Sequence, residues 1–418
     1  MIATSRSALA LFFSFFVASL AIACARDRAE DRPPANLGPS GGADGAKGDG
    51  GSPGPDAAPP GDGAPSVHGG PSGVRFVGRF DTRDPAGPWC AWPGCRIVAR
   101  FTGTSVSARL NERVEPWMEG GPSEWDVAID GKWQPKVVLQ TGAHDYVLAD
   151  GLAGGTHTVE LYKRSEAQNG TTQFLGYTFP GGALEAPPPA PARRIEIIGD
   201  SQPAAFGVEG VGDCPPHNWA ARWQNFRRSF GAILGETFAA DVHGIVHSGK
   251  GLVRNIWRPD PLTFPIIYPR TLPNDATSDY DFSLFVPDVV VIMIGGNDFD
   301  IGQPSDDGPS PPEEFTEAYR RLVAFIRESA PDAHVFLAAS PSVTDAQPPD
   351  RQSRTHVVSA IDTVAAERSR AGDARVYVAS PGLAPPSELT GCEGHGNPAF
   401  HERVANELAA SIRSRTGW

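Results

Sequence analysis

The stretch RRIEIIGDSQ runs from apolar residues into Asp200 and Ser201, and a strand ending there would deliver the Ser201 hydroxyl beyond its carboxyl end. By itself Gly-Asp-Ser is a common turn. DVVVIMIGGNDFDIG repeats the layout, with a run suited to a buried strand opening into Gly295, Gly296 and Asn297, whose side-chain amide can donate to an oxyanion. Between them IVHSGKGLVRN ends a third apolar run near Gly249, where the missing Cβ lets a backbone N–H approach a ligand closely. GCEGHGNPAFHERVANEL then puts His395 in a loop before the last helical pattern. An alcohol, an imidazole and preorganised N–H donors are the parts of nucleophilic acyl transfer: the imidazole takes the hydroxyl proton, and the donors stabilise the tetrahedral oxyanion. That chemistry requires no metal and no cofactor.

The elements that must position these groups follow from the period of the apolar residues. IEII, DVHGIV, DVVVIMI, HVFLAA and ARVYVA are short runs of the kind buried on both faces of a parallel sheet, and helical patterns separate them. In SPPEEFTEAYRRLVAFIRESAP, Phe315, Tyr319, Leu322, Val323 and Ile326 share one helix face, and Ser310 with Glu313 fits a capping box. The final helix repeats Phe400, Val404, Leu408 and Ile412, and Gly372 ends the helix before it. The expectation for 193–418 is a doubly wound, flavodoxin-like α/β domain with a five-stranded parallel sheet.

Ahead of it, residues 73–184 carry eight short alternating runs, from VRFVGRF to QFLGYTF, which predict an all-β sandwich or jelly roll. WDVAIDGKWQPKVVL reads as a hairpin with Asp130-Gly131 at its tip. Residues 185–192, rich in proline, form a stiff linker and the domain boundary.

The chain has 418 residues and a formal charge of −13, which disfavours nucleic acid and anionic membrane surfaces as partners. Residues 1–23 have the layout of an export signal: Arg6, an apolar run too short for a membrane span, then small residues. Ala21-Ile22-Ala23-Cys24 resembles a bacterial lipobox, so the readings are a lipoprotein anchored through Cys24 to the cell envelope, its only attachment to a membrane, or plain secretion. Residues 24–72 hold mostly Gly, Pro, Ala and Asp and read as a disordered tether. Export implies an oxidising compartment. Cys90 and Cys95 are near enough in the chain to close a small loop, which leaves Cys214 with Cys392; free buried thiols are the alternative.

The four site segments resemble those of SGNH hydrolases, also called GDSL-type esterases. The preceding β-domain, the phrase HSGKGLVRN, and His395 followed by His401 are similar to carbohydrate esterase family two, which deacetylates sugar hydroxyls. The resemblance implies Ser201 as nucleophile, His395 as general base, and an oxyanion hole from the Ser201 N–H, Gly249 and Asn297. It implies an acetylated polysaccharide or oligosaccharide, such as xylan or glucomannan, as substrate. Other expectations are an SGNH esterase acting on non-carbohydrate esters, and a glycan-binding protein with secondary esterase activity. Many superfamily members carry an aspartate three residues before the histidine; here that place is Cys392, so either Glu393 orients His395 or a backbone carbonyl does.

Neighbouring polar and aromatic residues have structural readings. His401 lies near the core stripe of the last helix, His243 and His247 border a strand, and Asp298 and Asp300 lack the ordered spacing of a calcium loop. Trp117, Trp125 and Trp133 read as core, whereas Trp219, Trp223 and Trp257 follow strand ends where one of them could line a pocket.

Overall fold

Alternating runs such as Val106, Ala108 and Leu110 can bury only one face of a strand, and they do so by pairing two sheets. The computed structural model describes residues 73–114, 120–215, 217 and 219–418; the expectations for the signal, Cys24, the tether and Trp117 lie outside these residues. The first half builds β1 (Val74–Val77), β2 (Trp89–Cys90), β3 (Arg96–Thr102), β4 (Val106–Arg113), β5 (Glu124–Ile129), β6 (Lys132–Val138), β7 (Gly142–Ala149), β8 (Thr156–Lys163), β9 (Thr171–Thr178) and β10 (Ala183–Glu185). One sheet runs β1-β3-β8-β5-β6 with β10 on β3, and the other runs β2-β9-β4-β7. The β5/β6 hairpin turns at Asp130-Gly131, both at positive φ. Glu185, expected in the linker, still belongs to β10.

The second half builds β11 (Arg193–Gly199), β12 (Ala240–Val246), β13 (Val289–Met293), β14 (His334–Leu337) and β15 (Val376–Val378), parallel and in the order β12-β11-β13-β14-β15. Its helices are α1 (Ser201–Ala204), α2 (Phe230–Phe238), α3 (Phe264–Ile267), α4 (Gly296–Phe299), α5 (Pro312–Ser329), α6 (Ser353–Arg370) and α7 (Pro398–Thr416). Ile195, Ile197, Val289 and Val291 share a cluster with Phe230, Leu234, Val404 and Leu408 of α2 and α7. Their neighbours Ile198, Val290 and Ile292 pack instead with Phe315, Tyr319, Val357 and Ile361 of α5 and α6. This is the doubly wound arrangement, and it explains why β13 is apolar at every position.

One helix start differs from expectation. Pro311 caps α5 without a side-chain bond, because Ser310 turns inward and donates from its N to Asp298 O at 2.7 Å and from its Oγ to Asp298 Oδ1 at 3.2 Å.

The two halves join in one compact unit, and a single apolar cluster runs from Phe101 and Leu161 of the sandwich to Phe264 and Ile292 of the parallel-sheet half. Around that cluster the interface is ionic. Arg79 Nη2 meets Glu196 Oε1 at 3.0 Å, Arg75 Nη1 meets Asp241 Oδ2 at 2.8 Å, and Arg227 Nε meets Asp126 Oδ2 at 2.7 Å. Asp126 thus sits on the outer side of a strand yet is buried. The alternation of β5 fails because the other half of the chain covers its outer face.

Candidate active site

The strand order places β11 between β12 and β13, so the turns after these three strands lie side by side at the point where the sheet reverses its direction of growth. Ser201 opens α1 directly after β11, with Asp200 as N-cap. Gly249 follows β12 at φ +79°, a left-handed conformation that side chains resist. Asn297 follows β13 within α4, and its Nδ2 donates to Lys250 O at 2.9 Å, which ties the second and third turns together. That bond uses one of two amide protons and leaves the other. The Gly249 N–H has no protein acceptor among the described residues.

His395 completes the group from the loop before α7. Its Nε2 lies 2.9 Å from Ser201 Oγ, and its Nδ1 lies 2.9 Å from the Cys392 carbonyl oxygen. A carbonyl oxygen only accepts, so Nδ1 carries the proton and Nε2 presents its lone pair to the serine hydroxyl. Burial pushes the imidazolium down to about 4, against the Cys392 bond, which favours the protonated ring. The neutral imidazole is therefore the resting form at neutral pH.

The orienting group is a main-chain oxygen. Glu393, the acid considered for this task, is exposed at φ 52° with its N–H donating to Gly212 O at 2.9 Å, while Nδ1 is engaged by Cys392. Cys392 is also bonded to Cys214, with Cα atoms 5.5 Å apart, which pins the histidine loop to the segment after α1. Gly207 permits this approach, because a Cβ there would meet Cys392 Cβ at 2.5 Å. A second tie links the residues after each reacting group, Gly396 N donating to Gln202 Oε1 at 3.1 Å.

The expected Cys90–Cys95 bridge is absent; both thiols are free and buried. Cys95 Sγ donates to Arg79 O at 3.8 Å, and burial pushes the Cys90 thiol well above its ordinary value.

Asp298 is a structural clamp. It accepts from Leu252 N, Val253 N and Arg254 N at 2.7 to 3.0 Å and so holds the chain just beyond Gly249, while burial pushes its carboxyl up to about 6. Asp200 is pushed up to about 7 by burial. Asp300 is partly exposed, and its Oδ1 accepts the next backbone N–H. His243 Nε2 accepts from Gly78 N at 3.0 Å, His247 Nδ1 bonds Ser248 O at 3.0 Å, and His401 Nδ1 accepts from Phe230 N at 3.3 Å. All three histidines settle backbone contacts. Trp125 is core, but Trp133 is 41% exposed, with Arg227 stacked on its ring at 4.2 Å. Trp219 lines the site: it packs edge-on against Phe206, whose ring lies 4.7 Å from that of His395. Trp223 packs on the disulfide cluster, and Trp257 is half-exposed. Phe206 and Gln202 were not singled out from sequence, although Gln202 adjoins the serine.

A family model described as carbohydrate esterase 2 N-terminal matches residues 76–189, and the GDSL-like lipase/acylhydrolase family matches residues 197–403. A solved family two carbohydrate esterase from Clostridium thermocellum, in complex with cellohexaose, superposes with a TM-score of 0.74 at 32% identity, covering 83% of this chain and 100% of that one. The chain belongs to carbohydrate esterase family two. Among its relatives, the cellulase/esterase CelE of Acetivibrio thermocellus is 33% identical over 347 residues, 83% of this chain. The chain spans only 40% of the length of that relative. An acetylxylan esterase / glucomannan deacetylase of Cellvibrio japonicus is 24% identical over 82% of this chain and 89% of its own length.

Proposed function

We propose that this family two chain is a serine esterase that removes O-acetyl groups from carbohydrate: acetylated xylan, glucomannan or a related polysaccharide. The observation that carries the reading is the Nε2 lone pair of His395 aimed at Ser201 Oγ over 2.9 Å, with the ring held from behind by a carbonyl. The substrate class is supported by the acetylxylan esterase and deacetylase relatives.

Ser201 Oγ attacks the acetyl carbonyl carbon while His395 Nε2 takes the hydroxyl proton. The carbonyl oxygen, now an oxyanion, accepts hydrogen bonds from Ser201 N, Gly249 N and Asn297 Nδ2. His395 returns the proton to the sugar oxygen as the C–O bond breaks, leaving acetyl-Ser201. Water then loses a proton to His395 and attacks the acetyl group, and acetate leaves as Ser201 regains its proton.

The test is acetate release from acetylated xylan and glucomannan by wild type and Ser201→Ala, beside 4-nitrophenyl esters of rising chain length. The variant should lose at least about 10³-fold in kcat, and activity should collapse beyond acetyl. A fully active Ser201→Ala refutes the nucleophile; undiminished activity on long acyl chains favours a non-carbohydrate ester. A glycan-binding role is the second reading, favoured by the cellohexaose held by the Clostridium relative. It requires Ser201→Ala to stay bound to polysaccharide in affinity gels.

Export belongs to the same proposal, with Cys24 lipidated after removal of residues 1–23. Detergent-phase partitioning of wild type but not Cys24→Ala is the expected result; equal partitioning leaves plain secretion.

A further inference from the structure

Ser248, the residue before Gly249, is held from the other half of the molecule. Glu166 lies between β8 and β9 and is fully buried. Its Oε2 accepts the Ser248 backbone N–H at 2.7 Å, and its Oε1 accepts the Ser248 hydroxyl at 2.6 Å. The glutamate is anchored in turn: its N–H donates to Gln224 Oε1 at 2.9 Å, Lys163 Nζ donates to its carbonyl at 3.3 Å, and Gln168 Nε2 donates to its Oε1 at 3.4 Å. Burying a carboxylate there is costly, and burial pushes its carboxyl up to about 7 against the Ser248 bonds and the Lys163 charge.

Among the described residues, the other hydrogen bonds at this turn come from the parallel-sheet half. His247 N donates to Gly199 O, Ile256 N donates to Gly249 O, Asn297 holds Lys250 O, and Asp298 holds the three amides that follow Gly251. At Ser248 the N–H and the hydroxyl both go to Glu166. With one carboxylate gripping both donors, Ser248 cannot shift without breaking one of them, and its carbonyl, on the peptide that carries the Gly249 N–H, is bonded to His247 Nδ1 at 3.0 Å.

We propose that Glu166 is a positioning residue of the oxyanion hole: by holding Ser248 it sets the position of the Gly249 N–H, so the β-sandwich takes part in catalysis. The inference rests on the Ser201 esterase reading. An oxyanion donor is worth about 10² to 10³ in kcat, and a displacement of about 1 Å can cost about 10²-fold.

Glu166→Asp keeps the charge and shortens the reach, whereas Glu166→Gln keeps the reach and can still bond both Ser248 groups, its Oε1 accepting the N–H and its Nε2 donating to the hydroxyl oxygen. Both are assayed on 4-nitrophenyl acetate beside wild type and Ser201→Ala, with kcat expressed per folded enzyme. Glu166→Asp should lower kcat by about 10- to 100-fold with KM changed less than about twofold, and Glu166→Gln should return kcat to within about fivefold of wild type. A folded Glu166→Asp with wild-type kcat, or a loss confined to KM or to the folded fraction, overturns the proposal. If Glu166→Asp does not fold, Ser248→Ala decides: it should lower kcat about 3- to 10-fold, and an unchanged kcat overturns the proposal. A fully active Ser201→Ala marks failure of the esterase reading itself, whatever the Glu166 variants do.

Discussion

At the scale of residues, the orientation of His395 by a main-chain carbonyl has a measurable consequence. A carboxylate at Nδ1 would stabilise the imidazolium and raise its pKa, whereas the Cys392 oxygen carries only a partial charge and burial wins. In the proposed mechanism His395 must be neutral to act, so kcat/KM is lost on protonation, as pH falls. We expect its acidic half-point near pH 4, measured on 4-nitrophenyl acetate; a half-point at the ordinary histidine value would show that an acid supports the ring. Glu393→Gln should leave that limb in place. Asn297→Ala removes the proposed oxyanion donor and the tie to Lys250 O together, and kcat should drop about 10²- to 10³-fold with little change in KM. A drop of less than about tenfold would remove Asn297 from the oxyanion hole.

Among the elements, the histidine loop is tied to segments distant in the chain. It contains Gly391, Gly394 and Gly396, and its bonds to Gly207 O, Gly212 O and Gln202 are supplemented by the Cys214–Cys392 bridge across 178 residues. Replacing both cysteines by serine should cost about 2 to 5 kcal/mol of stability in urea titration, and kcat should fall through loss of loop order. Equal kcat per folded molecule would show that the bonds around the loop suffice. The strands behave differently, being packed on both faces. Ile292→Ala in β13 removes a fully buried side chain beneath α5 and α6 and should cost about 2 to 5 kcal/mol, read as a shift in urea midpoint.

Across the whole molecule, the sandwich and the parallel-sheet half share an apolar cluster and a set of buried ion pairs. Arg79 is the plainest case: fully buried, it pairs with Glu196, donates to the carbonyls of Tyr268 and Arg270, and stacks on Tyr280 at 4.2 Å. Truncating it strands the Glu196 carboxylate, so Arg79→Ala should destabilise by about 3 to 5 kcal/mol. Calorimetry of the wild type should show a single transition, since neither half can lose the other without exposing that cluster. Two resolved transitions would contradict a shared core.

Local chemistry determined much of this protein. A strand buried on both faces must be apolar throughout, so IEII and DVVVIMI announced a parallel sheet, and the turns after them announced Ser201 and Asn297. The eight alternating runs were equally legible, because a half-buried strand imprints its period on the chain. What depended on contact between distant segments was not. Cys95 turns its thiol to the Arg79 carbonyl, Ser310 was drawn from its capping role by Asp298, and the choice between Glu393 and a carbonyl turned on the backbone path of one loop. Glu166 left no local trace, since 82 residues separate it from the serine it holds and its neighbours in sequence belong to another sheet. Period and turn chemistry act within a few residues and can be read in order along the chain, whereas a buried charge finds its partner only once the two halves have closed on each other.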